Sequence, residues 1–164
     1  MAKRLTAVGW GSGRNEAGFG LVEVIAVVLI TAVVAAVAVP SFRSIRISSD
    51  VRSVSSDLAT AITLARTQAV TLRVDVKLSP LDNDWSKGWQ VIYDWPAGAP
   101  AVESDVTVAK SGSVTITGPD SDVLFRSSGI INNGAISFEL CRAEQGREIQ
   151  VTPLGRVNVE GGAC

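Results

Sequence analysis

Histidine and cysteine, two of the side chains that most often carry out catalysis or bind metals, are absent or rare in this chain of 164 residues. It contains no histidine, so the commonest general base, the commonest metal ligand and the Ser–His and Cys–His nucleophile pairs are all missing. We find no glycine-rich phosphate loop and no spacing typical of a metal site. Acidic residues are frequent, but no pair of them stands out. The sequence predicts no catalytic residue, no metal site and no cofactor, and therefore a protein that is not an enzyme.

Glu23 is the acidic residue whose position needs an explanation. It lies within residues 19–39, where the only other polar side chain is Thr31. A carboxylate inside a membrane-spanning helix costs about 2.5–3.5 kcal/mol on insertion scales, so we expect it to have a partner. If the chain began at Phe19, the new amine could pair with Glu23 of the same or a neighbouring subunit. At low dielectric this pair would fix the axial register of packed helices.

The apolar segment around Glu23 has the length of a membrane-spanning helix. At about 1.5 Å per residue, residues 19–39 span about 31 Å, which matches a hydrocarbon core of about 30 Å. The basic residues before it favour a cytoplasmic N-terminus, so the rest of the chain is expected to be exported. Two simpler interpretations are a secretory signal peptide cut after Ala38 and an uncleaved anchor.

The residues Gly18-Phe19-Gly20-Leu21-Val22-Glu23, followed by the apolar run and Pro40, resemble the class III signal of type IV pilins and type II secretion pseudopilins. The resemblance implies that residues 1–18 are a leader peptide. A prepilin peptidase would cut between Gly18 and Phe19 and methylate the new N-terminus. It also implies that Glu23 guides assembly and that Pro40 kinks the helix. Gly20 stands where the family usually has threonine.

The pattern after Pro40 is first helical and then β-like. Over residues 40–73 the spacing of apolar residues predicts an amphipathic continuation of the helix. Its stripe comprises Ile47, Val51, Val54, Leu58, Ala61, Ala65 and Leu72. We expect this stripe to pack under a sheet, the alternative being a coiled-coil seam.

Residues 74–164 are expected to form a β-rich domain. Short runs rich in β-branched and aromatic residues predict eight strands, with a loop at 80–84 between the first two. The strands are predicted at 74–78, 90–93, 106–109, 114–117, 123–125, 135–141, 148–152 and 156–159. The fold class is α+β and pilin-like, a long N-terminal helix packed on antiparallel sheets.

Cys141 and Cys164 are the only cysteines, and both lie near the C-terminus. An even pair in an exported domain is typical of a disulfide, whereas two unrelated buried thiols are the alternative. We predict that the two cysteines form a disulfide bond.

Stretches in the β-region narrow the resemblance. Asp84–Trp89, the turn at 125–129 and Gly155-Arg156-Val157 look like the GspH/FimT/FimU subfamily of minor pilins and minor pseudopilins. FimT-like pilins that capture DNA carry a Gly-Arg-x-Arg pattern near the C-terminus, but here Asn158 replaces the second arginine. Because 15 basic residues stand against 16 acidic ones, no basic excess compensates for this loss. Arg156 is therefore at most a weak DNA contact.

The resemblance implies a low-abundance minor pilin that primes assembly of a type IV pilus and lies near its tip. The alternatives are a GspH-like minor pseudopilin of a type II secretion system and a FimT-like DNA-binding pilin in natural transformation. The implied partners are other minor pilins or pseudopilins, the major pilin, the prepilin peptidase and the inner-membrane assembly platform. The implied location is the bacterial inner membrane, with one span and a periplasmic C-terminal domain, and then the pilus or pseudopilus.

Overall fold

A single long helix, α1 (Leu21–Leu72), begins the structure. The computed structural model describes residues 20–110, 112–162 and 164. The chain separates into two compact units, the first ending at Ser41 and the second comprising Phe42–Cys164. Helix α1 begins in the first unit and ends in the second.

The part of α1 in the first unit is apolar on all sides. Its large apolar side chains from Leu21 to Val39 are exposed. By length and composition this part of the helix is able to cross a membrane. The hydroxyl of Thr31 donates to the carbonyl oxygens of Val27 and Val28, at 2.9 Å each, so it needs no partner outside the helix.

The part of α1 in the second unit buries one stripe of side chains, which confirms that it packs on sheets. Five of the seven predicted stripe residues are buried, and Ile47 and Leu72 at its two ends are half-buried. Ile62 and Ala69 are further buried members that the spacing did not identify. The helix ends at Leu72, where Arg73 adopts a left-handed conformation with φ of 56° and stops further helical bonding.

Among the described residues, eight strands follow the helix and form two antiparallel four-stranded sheets, ordered β3-β2-β1-β5 and β4-β6-β7-β8. A strand lies at each of the eight predicted places. The strands are β1 (Asp75–Leu81), β2 (Asp84–Asp94), β3 (Val106–Ala109), β4 (Thr115–Thr117), β5 (Val123–Phe125), β6 (Ile136–Arg142), β7 (Gln145–Val151) and β8 (Val157–Gly162).

The predicted loop at 80–84 is wrong in its length, because the observed turn is shorter. Strand β1 continues to Leu81 and β2 begins at Asp84, so Asp82 and Asn83 alone form the turn. Their φ angles are 50° and 58°, which aspartate and asparagine tolerate better than most residues and which suit a tight hairpin. A register shift between Pro80 and Leu81 accommodates the proline within β1.

An aromatic contact joins the two sheets in the core. The rings of Trp85 on β2 and Phe138 on β6 meet edge to face with their centroids 4.9 Å apart. The indole N–H of Trp85 donates to the carbonyl oxygen of Pro119 at 2.9 Å. A Cβ atom at Gly118 would lie 2.5 Å from the Phe138 ring, so a glycine is needed where the chain passes this pair. The contact is therefore part of the core that the two sheets share.

Candidate functional site

Glu23 lies in the first turn of α1, and its backbone N–H donates to the carbonyl oxygen of Gly20 at 2.9 Å. A carboxylate in this position interacts favourably with the positive end of the helix dipole. The predicted cleavage residues Gly18 and Phe19 lie outside the described residues.

Pro40 lies within α1, which continues on both sides of it. Proline has no N–H to donate to the carbonyl four residues earlier. The helix therefore continues through a position at which one of its hydrogen bonds is missing. The kink at Pro40 remains a prediction.

Cys141 and Cys164 form a disulfide bond, with their Cα atoms 5.8 Å apart, which confirms the predicted pair. Cys141 lies on β6, and Cys164 follows the end of β8. The bridge thus ties the C-terminus to the sheet. In the chain-entropy model, closing a loop of this length stabilises the folded state by roughly 3 kcal/mol.

The arginines in the last quarter of the chain have different environments. The Arg142 guanidinium forms an ion pair with Asp50, which ties β6 to α1. Arg147 on β7 is half-buried. Arg156 is exposed, and its backbone N–H donates to the Thr152 hydroxyl at 3.1 Å. Within the described residues, Arg156 is therefore a surface cation held on a turn.

Arg66 is a structural determinant that the sequence analysis missed. Its Nε atom donates to the carbonyl oxygen of Gly129 at 3.3 Å, and its side chain fills the space that a Cβ atom at Gly155 would occupy. Both glycines have positive φ, 81° and 73°. The two glycine turns are also joined by the Ile131 N–H, which donates to the Pro153 carbonyl oxygen at 2.9 Å. Arg66 thus explains why a glycine is needed at Gly155, whereas a Cβ atom at Gly129 would lie 2.9 Å from the Val70 side chain.

Two side chains in the domain have shifted pKa values, and burial is the main cause of both shifts. Burial raises the pKa of Tyr93, and the nearby carboxylates of Glu103 and Asp105 raise it further. Burial lowers the pKa of Lys110, while Asp57 opposes that change. In the described part of the chain, no group of three or more acidic or cysteine side chains is placed to hold a metal ion.

Two family models match the chain. The one described as "Type II transport protein GspH" matches residues 55–155. The one described as "Prokaryotic N-terminal methylation motif" matches residues 13–39 and therefore includes Gly18, Phe19 and Glu23. A comparison with curated proteins finds no match.

Two crystal structures of the type IV minor pilin FimU from Pseudomonas aeruginosa are similar to this chain, each at 21% sequence identity. One has a TM-score of 0.58 and covers 71% of this chain and 93% of its own. The other has a TM-score of 0.54 and covers 69% of this chain and 96% of its own. At this identity the likeness establishes the fold, a pilin-like helix on two antiparallel sheets.

Proposed function

The chain belongs to the GspH family of minor pilins and pseudopilins, which are structural subunits rather than enzymes, and from this premise we propose that it primes assembly of a type IV pilus and lies near the pilus tip. As a minor pilin it is needed in few copies, because a priming complex forms once for each filament. The free energies that matter for its function are those of contacts between subunits.

The observation that carries the proposal is the apolar half of α1, which is exposed along its length and has one carboxylate in its first turn. Such a surface needs lipid or other apolar helices around it. In the membrane it anchors the subunit, and in a filament the helices of neighbouring subunits replace the lipid. Apolar contacts alone would allow many axial registers of the packed helices. Pairing of Glu23 with a neighbour's N-terminal amine then selects one of them.

The proposed topology follows from the anchor and the disulfide. Basic residues precede the apolar segment, which favours a cytoplasmic N-terminus and a periplasmic domain. The Cys141–Cys164 bridge supports this orientation, because disulfides persist in the periplasm and are rare in the cytosol. We propose that residues 1–18 are removed at the inner membrane and that Phe19 becomes the methylated N-terminus.

The proposed partners follow from the same role. A prepilin peptidase processes the chain, and an inner-membrane platform extracts it from the lipid. Other minor pilins join it in the priming complex, and the major pilin extends the filament below. The domain 74–164 selects these neighbours, since the anchor alone offers little to distinguish one apolar helix from another.

A minor pseudopilin of a type II secretion system is the second candidate function. The description of the family model that matches residues 55–155, a type II transport protein, favours it. The same anchor and the same pairing of Glu23 would then assemble a short pseudopilus in place of a surface pilus.

Deletion of the gene in the bacterium that produces the protein separates the two candidates. If the subunit primes pilus assembly, we expect surface pili to fall by at least about tenfold while type II secretion continues, and a plasmid copy to restore the pili. Electron microscopy counts the pili, and assays of the culture medium measure secreted enzymes. Lost secretion with normal pili would instead indicate the pseudopilin. Normal pili together with normal secretion would contradict both.

A further inference from the structure

Strand β8 is an outer strand with one free side. It pairs with β7 from Gly146↔Gly162 to Val151↔Val157, and no other described strand lies beyond it. The backbone N–H and C=O groups on its free side are therefore available to another strand. With six residues, β8 has the length of an ordinary strand in a globular protein.

Helix α1 leaves a groove beside this free side. The groove has a volume of about 740 Å³ and is lined from β8 by Val157 and Val159 and from the helix by residues that include Ala59 and Thr63. Adjacent strands in a sheet lie about 4.8 Å apart. A strand added to β8 would therefore lie under this face of the helix, and every second side chain would point into the groove.

The threonine hydroxyl groups on the helix side of the groove are already satisfied. Thr60 donates to the Ser56 carbonyl oxygen at 2.7 Å, Thr63 to that of Ala59 at 2.8 Å and Thr67 to that of Thr63 at 2.8 Å. Covering these hydroxyls removes little hydrogen bonding from water. The helix face therefore accepts small apolar side chains despite its polar sequence.

Two arginines lie at one end of the groove. Arg52 extends from α1, and Arg147 lies on β7 opposite Gly161 of β8. In the described part of the chain, neither forms an ion pair, whereas Arg126 and Arg142 do. This end of the groove therefore favours carboxylates. Since it lies at the C-terminal end of β8, an antiparallel strand would bring its N-terminal residues there.

We propose that β8 and this groove bind an extended segment of a second polypeptide by strand addition. The segment has small apolar side chains at alternate positions and carboxylates near its N-terminal end. This binding surface is separate from the membrane anchor and from priming, so it goes beyond the proposed function and can fail independently of it.

A second copy of this chain fits the groove less well than such a segment. Val157 and Val159 share one face of β8, so Asn158 and Glu160 lie on the other. A second β8 with its valines in the groove would hold Glu160 outside it and bring no carboxylate to Arg52 and Arg147. Glu160 already accepts a hydrogen bond from the Asn158 amide at 2.7 Å.

Peptide binding to the full chain in detergent micelles tests the proposal. The probe is a fluorescent peptide of about eight residues, two aspartates followed by alternating valine and serine. We expect fluorescence anisotropy to detect binding. Methylation of the valine amide nitrogens keeps the side chains but removes donors, and we expect it to weaken binding at least about tenfold. Two lysines in place of the aspartates should weaken binding similarly.

Variants of the arginines supply the matched comparison. We expect Arg52→Glu combined with Arg147→Glu to weaken binding of the acidic peptide and strengthen binding of the lysine peptide. Arg73→Glu makes half of that charge change outside the groove and should alter neither. Absence of binding at about 1 mM acidic peptide, or equal binding of the methylated peptide, would overturn the proposal. A dimer of the chain that excludes the peptide would assign the groove to a second copy and also overturn it.

Discussion

Replacing Glu23 with alanine or glutamine is expected to reduce incorporation of this subunit into filaments by at least about tenfold. Removing one partner of a buried ion pair costs about 3–5 kcal/mol, because the other charge is left unpaired, and about 1.4 kcal/mol already corresponds to tenfold. In a packed filament the unpaired charge would be the N-terminal amine. The amount of protein in the membrane should not fall, since the variant helix carries no acidic residue in the bilayer.

Quantitative immunoblots of sheared filaments and of membranes, taken from the same cells, measure both amounts. Glu23→Gln keeps the size and polarity of the side chain, so it isolates the effect of charge. Glu23→Asp keeps the charge and should retain more incorporation than glutamine does. Filaments that contain the glutamine variant at the wild-type level would show that the charge of Glu23 does not direct assembly.

Replacing Phe138 with alanine is expected to destabilise the β-domain by about 3–5 kcal/mol. The ring is fully buried, contacts Trp85 edge to face at a centroid distance of 4.9 Å and packs on Gly118. Its removal leaves a cavity where the two sheets meet, and the surrounding backbone can close that cavity only in part. A loss of this size is a large share of the stability of a small domain, so the amount of folded subunit in cells should also fall.

Phe42→Ala is the matched control. It makes the same change of side chain at a residue of α1 that has 65% of its surface exposed. We expect it to alter the free energy of unfolding of the domain by no more than about 0.5 kcal/mol. Urea unfolding followed by tryptophan fluorescence measures both variants. Equal losses in the two variants, or a loss below about 1 kcal/mol for Phe138→Ala, would contradict the place assigned to this ring.

Local patterns in the sequence predict most of the fold. The stripe from Val51 to Ala65 has the period of a helix, and the strands are short runs of β-branched and aromatic residues. Both signals depend on neighbours within a few residues. The disulfide followed from the number of cysteines and from export, without knowledge of distance. The turn at Asp82 and Asn83 was placed too broadly, because Pro80 suggested a break that β1 accommodates with a register shift.

Contacts between distant residues could not be predicted in this way. Arg66 meets Gly129 across 63 residues of sequence, and nothing near Arg66 in the sequence marks it as the side chain that fills the space at Gly155. The groove beside β8 could not be predicted from the sequence for the same reason. It depends on which strand ends a sheet and on how α1 lies over that strand, and both are properties of the tertiary structure.

The mass of the intact protein extracted from the membrane tests the central claim most directly. The claim is that a freshly exposed amine at Phe19 becomes the partner of Glu23. It requires cleavage after Gly18, and we expect a single species that begins at Phe19 and carries one added methyl group. A species that begins at Val39 would indicate an ordinary signal peptide without an anchor. A species that still carries residues 1–18 would leave no amine beside Glu23, and either result would contradict the account.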